Sequence, residues 1–175
     1  GLPVGAFGST VKVMSNLAPL GAVYQAGTLS GNPLATAAGL AVLDELDADA
    51  YARLVDSATV LAGGLQAAFD NAGVPAVVPR VGPLVGLFFG DSTVFGGTAQ
   101  AGAGPVGPVD YQSAGKSIAL SRYPAFFHGM LERGIAFAPG PWEVFFPSLA
   151  HSADDLRTTI EAASEVAHDL SSERQ

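Results

Sequence analysis

Tyr24-Gln-Ala-Gly27-Thr28-Leu-Ser30-Gly31-Asn32-Pro33-Leu-Ala35 is the stretch on which the reading of this chain turns. Its second half is a helix start: Asn32 suits an N-cap, proline is pre-set for the first helical position, and Leu34, Ala38, Ala41, Val42 and Glu45 follow at helical spacing. The spacing predicts a helix from about 33 to 46. Its first half is loop, continuous with a Gly-rich beginning in which Gly1, Gly5, Gly8, Gly21, Gly27 and Gly31 punctuate short apolar pieces. Such a segment needs a larger body to pack on.

Working outward from this helix, Tyr51, Leu54, Val55, Ala58, Leu61, Leu65, Ala68 and Phe69 form one face of a longer helical pattern that stops at Gly73. From Val74 the period becomes that of strands. Ala76-Val77-Val78 and Leu84 to Phe89 are β-type runs around Gly82-Pro83. Residues 92–117 are rich in Gly and poor in large apolar groups, so a long surface loop is expected there. A helix over Phe126, Phe127, Met130 and Leu131 should end at Gly134, with strands at Ile135-Ala136-Phe137 and from Val144-Phe145-Phe146. Ser152 with Asp155 fits a capping box that opens a last helix carrying Leu156, Ile160, Ala163 and Ala167. The order ββαββα after residue 74 favours a small α+β lobe with a mainly antiparallel sheet.

Composition narrows the function. Of 175 residues 49% are hydrophobic, enough for one domain or two small lobes. The 8 Lys and Arg against 16 Asp and Glu give a net charge of −8, which would repel a nucleic-acid backbone. Small-molecule chemistry is the better starting point. No apolar run reaches the length of about 18 residues that a bilayer span requires; the mean hydropathy of +0.35 comes from Ala and Val. The absence of cysteine excludes disulfides and thiolate sites. His128, His151 and His168 share neither helical spacing nor a loop, so no metal is expected. Gly102-Ala-Gly104-Pro-Val-Gly107 matches a dinucleotide fingerprint only in letters, because no strand precedes it and Pro105 and Pro108 oppose a helix start. Asp110-Tyr-Gln-Ser-Ala-Gly115-Lys116-Ser117 falls short of a Walker A motif, since Asp110 stands in place of the first glycine and its carboxylate would repel phosphate.

Residues 24–35 nevertheless resemble, almost letter for letter, a segment of the glutamate-1-semialdehyde aminomutase family within the class III aminotransferases. Three more blocks agree in order: Gly1 to Gly8, Phe126 to Gly134, and Ser148-Leu-Ala-His151 with Asp154 and Asp155 after it. The resemblance implies an α/β chain of the fold type I pyridoxal-phosphate transferases. Residues 1–48 would close the large cofactor domain, 49–73 form a connecting helix, and 74–175 make a small C-terminal α+β domain. It also implies an amino exchange within glutamate-1-semialdehyde that yields 5-aminolevulinate for tetrapyrrole synthesis, in a cytoplasmic homodimer with pyridoxal 5′-phosphate as cofactor. The family's Schiff-base lysine would lie a few residues upstream of Gly1, and neither Lys12 nor Lys116 matches its motif, so the chain reads as an inactive piece of a longer polypeptide.

Within that resemblance, Gly27 and Thr28 would bind the phosphate of the neighbouring subunit's cofactor. A hydroxyl and backbone N–H groups beside a residue with no side chain suit a close approach to an anion. Tyr24 matches an active-site tyrosine, and Glu143 a carboxylate that reaches the substrate. Two departures stand out. Pro139-Gly140-Pro141-Trp142-Glu143 replaces the family's usual Pro-Ser-x-Phe-Glu, which leaves the substrate open, and Ser9-Thr10-Val11-Lys12 replaces a more polar stretch. Another class III transaminase, acting on an ω-amino acid or amine, and a non-catalytic dimerisation module are the alternative readings.

Overall fold

The computed structural model describes residues 2–90, 92–95, 107–108, 110–119 and 122–172. The chain divides into two compact units, Gly1–Ala50 and Tyr51–Gln175.

The first unit holds a single helical turn α1, Val11–Met14, and the helix α2, Pro33–Glu45. Asn32 caps α2 as the sequence predicts: its Oδ1 accepts from the N–H groups of Leu34 and Ala35, both at 3.1 Å. Ala35 is the buried residue of this helix, while Leu34, Leu40, Val42 and Leu43 are exposed. The unit has almost no core of its own.

The second unit is built around α3, Ala48–Asn71, whose first turn belongs to the first unit. Four short strands follow, β1 Ala76–Val77, β2 Arg80–Val81, β3 Leu84–Val85 and β4 Phe88–Phe89. They pair antiparallel as β1 with β4 and β2 with β3. The helices α4 Ser92–Phe95, α5 Tyr111–Ala119, α6 Arg122–Glu132 and α7 Ala153–Ser172 complete it. Gln66 ties α3 to the sheet: its side-chain amide donates to the Ala76 carbonyl and accepts from the Val78 N–H, each at 3.0 Å. None of the helices among the described residues is long and apolar enough to cross a membrane.

The core is aromatic. Phe126 on α6 is fully buried and meets Phe69 at 5.8 Å, Phe89 at 6.1 Å, Tyr123 at 5.9 Å and Phe137 at 5.3 Å between ring centroids. The tilted and edge-on geometries are those the ring quadrupole favours. Glycine makes room at α7: a Cβ on Gly64 of α3 would collide with the Ile160 side chain, and one on Gly129, where α6 packs on α7, would sit 3.0 Å from the side chain of Val166. Arg133 fastens α6 to α7, with Nε 2.8 Å from Glu165 and Nη2 2.8 Å from Asp169.

Three sequence expectations need correction. The order after residue 74 is four strands followed by helices, not ββαββα. Ile135–Phe137 and Val144–Phe146 are not strands; Phe145 makes one antiparallel bridge to Val85 and no more. Pro139, Pro141 and Pro147 lack the N–H that a ladder would need, so pairing cannot spread from that bridge. Nor is 92–117 a continuous loop. Asp110 and Ser113 form a reciprocal cap that starts α5: the Ser113 N–H donates to Asp110 Oδ1 at 2.7 Å, and the Asp110 N–H to Ser113 Oγ at 3.0 Å. The Ser113 backbone N–H, and after it the Ser113 hydroxyl donating to Oδ1 at 2.7 Å, hold the Asp110 carboxyl below its ordinary pKa. Residues 96–106 and 109, with most of the Gly102–Gly107 run, lie outside the described residues.

Phe126→Ala removes the ring on which four others converge. It should lower unfolding free energy by roughly 3–5 kcal/mol, the usual cost of deleting a buried phenyl ring. Urea unfolding followed by circular dichroism checks this, and a loss below about 1 kcal/mol would contradict the central place given to this ring.

Candidate active-site residues

In the first unit the turn Gly27–Ser30 is closed by the Ser30 N–H donating to the Gly27 carbonyl at 2.9 Å. A side chain at position 27 would bring its Cβ to 3.0 Å from Ser30 Oγ, so glycine keeps the inside of this turn open. Thr28 is exposed and makes no hydrogen bond among the described residues, which leaves its hydroxyl and N–H available to a ligand. A groove of about 450 Å³ runs beside the turn, lined by Pro3 to Phe7 on one side and by Gln25, Gly27 and Leu29 to Gly31 on the other. The two blocks that the sequence singled out separately, 1–8 and 24–35, thus meet in one cleft. Thr28 lies next to this lining rather than in it, and Tyr24, 83% exposed, is not part of it.

Glu143 belongs to the second unit and is exposed. Its N–H closes a turn on the Gly140 carbonyl at 3.2 Å. Within reach of its charge lies Tyr123, a residue that sequence reasoning missed. The Tyr123 hydroxyl donates to the Ala138 carbonyl at 2.8 Å. Burial, with the nearby Glu143 charge as a second cause, pushes its pKa up to about 12. Only the apolar helical spacing of Tyr123, Phe126 and Met130 marked it beforehand, and that pattern reads as core. Tyr111 was missed as well. Its ring stacks on Trp142 at 4.6 Å with 11° between the planes.

His151 serves α7. Its Nδ1 accepts from the Ser148 N–H at 2.9 Å and lies 3.0 Å from Ser148 Oγ. Ser152 and Asp155 exchange the bonds of the expected capping box, and Ser152 Oγ donating to Asp155 at 2.7 Å is the main reason that carboxyl sits below its ordinary range. No group of three or more His, Cys, Asp or Glu side chains suited to a metal ion occurs among the described residues.

No family model matches the chain. It is 43% identical over 171 residues to the glutamate-1-semialdehyde 2,1-aminomutase of Desulfosudis oleivorans, a match that takes in 97% of this chain and 36% of that protein. To the enzyme of the same name from Anaeromyxobacter dehalogenans it is 45% identical over 163 residues, with 93% and 34% covered. The chain therefore spans about a third of the length of the curated relatives it matches. Among solved structures it resembles an omega-transaminase from Sphaerobacter thermophilus, with a TM-score of 0.67 at 20% identity over 93% of this chain and 34% of that one. A beta-phenylalanine aminotransferase from Variovorax paradoxus gives 0.65 at 23% identity, with 90% and 33% covered. At such identities the likeness is one of fold, and the fold is that of the fold type I transferases, as the sequence led us to expect.

The raised pKa of Tyr123 has a consequence for stability. An unfolded phenol titrates near 10, so between that value and about 12 the folded state holds a proton that the unfolded state has lost. The resulting stabilisation is complete below pH 10 and is lost as the pH rises through about 12. Unfolding free energy should fall across that interval in the parent protein, and Tyr123→Phe should lack this part of the fall. A difference titration of phenolate absorbance between the two that places Tyr123 at its ordinary value would refute it.

Proposed function

We propose, for a chain related along nearly its whole length to the glutamate-1-semialdehyde 2,1-aminomutases, that it forms part of an enzyme exchanging the amino and oxo groups within glutamate-1-semialdehyde to give 5-aminolevulinate. The observation that carries this reading is the groove in which Pro3–Phe7 meets the Gly27–Ser30 turn, because both blocks are those of the aminomutase resemblance. Pyridoxal 5′-phosphate, when bound, supplies the electron sink that amino exchange requires.

The residues of the turn fit a phosphate. Gly27 keeps side-chain atoms away from it, and Thr28 offers a hydroxyl and an N–H with no competing partner among the described residues. A charged acceptor strengthens such bonds. In our reading Gly27 and Thr28 hold the phosphate of the neighbouring subunit's cofactor, Tyr24 orients the reacting groups, and Glu143 reaches the substrate. Neither Lys12 nor Lys116 is assigned the role of the lysine that holds the cofactor. Residues 1–48 then close the large cofactor domain, 49–73 connect, and 74–175 form the small domain of a cytoplasmic homodimer acting on a small molecule, with no role for nucleic acid or membrane.

The names of the relatives do not favour the alternatives, an amine transaminase or a non-catalytic module. An aminomutase needs no outside partner, so the full-length protein carrying this chain should form 5-aminolevulinate with no added amino donor or keto acceptor. A strict requirement for both would replace this reading with that of a transaminase.

Thr28→Val in that protein removes a hydroxyl at nearly constant shape. Affinity for pyridoxal phosphate should drop about ten- to a hundredfold, as expected for one hydrogen bond to a charged group of roughly 1.5–3 kcal/mol. Titrating the cofactor-free protein checks this, with circular dichroism confirming an intact fold. An unchanged affinity means that Thr28 does not face the phosphate.

A further inference from the structure

The segment from Ala138 to Phe145 carries Glu143, and its two ends are held firmly. At one end the Ala138 carbonyl accepts the Tyr123 hydroxyl bond at 2.8 Å. At the other, Phe145 exchanges two backbone bonds with Val85, at 2.8 and 2.9 Å, and meets Phe137 edge-on with centroids 4.8 Å apart. The middle is different. Among the described residues its one hydrogen bond is the internal one from the Glu143 N–H to the Gly140 carbonyl, which shapes the turn without attaching it to anything. Pro139 and Pro141 have no N–H with which to attach it.

What fastens the middle is Trp142. Its indole lies flat on the ring of Tyr111, the first residue of α5. Tyr111 is 77% exposed and Trp142 47% exposed, so neither ring is confined by burial and the stack itself sets the geometry. Helix α5 is started by the Asp110–Ser113 cap, which brackets Tyr111, and is seated by the buried Ser113, Ala114 and Ser117. The carboxylate of Glu143 is the next side chain along from the indole.

We infer that Tyr111 and Trp142 are positioning residues for Glu143, their stack being the clamp that sets where its carboxylate stands and hence which substrate the site accepts. The inference rests on the reading of Glu143 as substrate-facing, and it gives the unusual Pro-Gly-Pro-Trp-Glu run a purpose: the prolines stiffen a turn that, among the described residues, is tied to α5 by an aromatic stack and not by a hydrogen bond. Stacking suits an exposed clamp, because it is insensitive to the salt that screens an ion pair at the surface.

The test uses the full-length protein carrying this chain, as Tyr111→Ala, Trp142→Ala and the conservative Trp142→Phe. Amide exchange at Glu143, whose N–H closes the turn, read by mass spectrometry, should become about tenfold faster in both alanine variants and stay near the parent rate in Trp142→Phe. Exchange in α3 should not change, which separates release of the turn from loss of fold. In steady state each alanine variant should raise KM for glutamate-1-semialdehyde about three- to tenfold, the range expected from one aromatic pair, with kcat nearly unchanged and Trp142→Phe recovering most of the loss. Added to Glu143→Gln, Tyr111→Ala should bring no further rise, because the residue it positions has already lost its charge. Unaltered exchange in both alanine variants, unaltered KM despite faster exchange, or KM effects that multiply with Glu143→Gln would each overturn the inference. A parent protein that turns over no substrate would sink the functional reading instead, and the exchange rates would still decide whether the stack holds the turn.

Discussion

Phe126 is the point from which the second unit is organised. Its ring is shared by α3 through Phe69, by the sheet through Phe89, by its own helix through Tyr123, and by the segment after α6 through Phe137. Aromatic rings bury a large area each and prefer a few mutual angles, so four contacts at one ring fix directions as well as distances. Phe137 leads into Ala138, whose carbonyl is taken by Tyr123. The surface turn that bears Glu143 therefore starts from a position dictated by the core.

Polar groups finish what the aromatics begin. Gln66 satisfies backbone groups around β1 that a two-residue strand leaves unpaired on that side. Arg133, Glu165 and Asp169 join α6 to α7 where Gly129 has already let the helices come close. Glu165 and Asp169 are largely exposed, so the ion pairs add little stability and serve mainly to set the register of the two helices. Arg157 with Asp154 and Glu161 form exposed pairs within α7 itself and likewise add little stability.

The first unit obeys a different constraint. Leu34, Leu40, Val42 and Leu43 on α2 and Leu2, Val4 and Phe7 before it are exposed, and an apolar groove of about 720 Å³ lies between those two stretches. A helix that is apolar on most of its sides belongs in the interior of something larger. What the unit does fix by itself is local: the capped start of α2 and the open turn at Gly27, the two features on which the proposed phosphate contact depends.

Legibility followed the range of the interaction. Caps are written within four residues, so Asn32 and the Ser152–Asp155 box could be read directly, and the apolar stripes of α3, α6 and α7 carried enough repeats to declare themselves. The Asp110–Ser113 cap is equally local, yet the glycines around it give the stretch the composition of a loop and hide the start of α5. The expected strands at 135–137 and 144–146 failed because a strand exists only through its partner, and prolines on either side deny these residues more than one bridge. Resemblance proposes Tyr24, Gly27, Thr28 and Glu143 as site residues, but it does not say that Pro3–Phe7 forms the opposite wall of the Gly27 turn. The starts of α2 at Asn32 and of α7 at Ser152 depend on neighbours along the chain and so are written in the sequence, while Tyr24, Gly27, Thr28 and Glu143 are proposed from resemblance. That Tyr123 bonds to the Ala138 carbonyl and that Tyr111 stacks on Trp142 comes from the packed fold, because contacts between residues distant in sequence arise from packing and leave no local pattern.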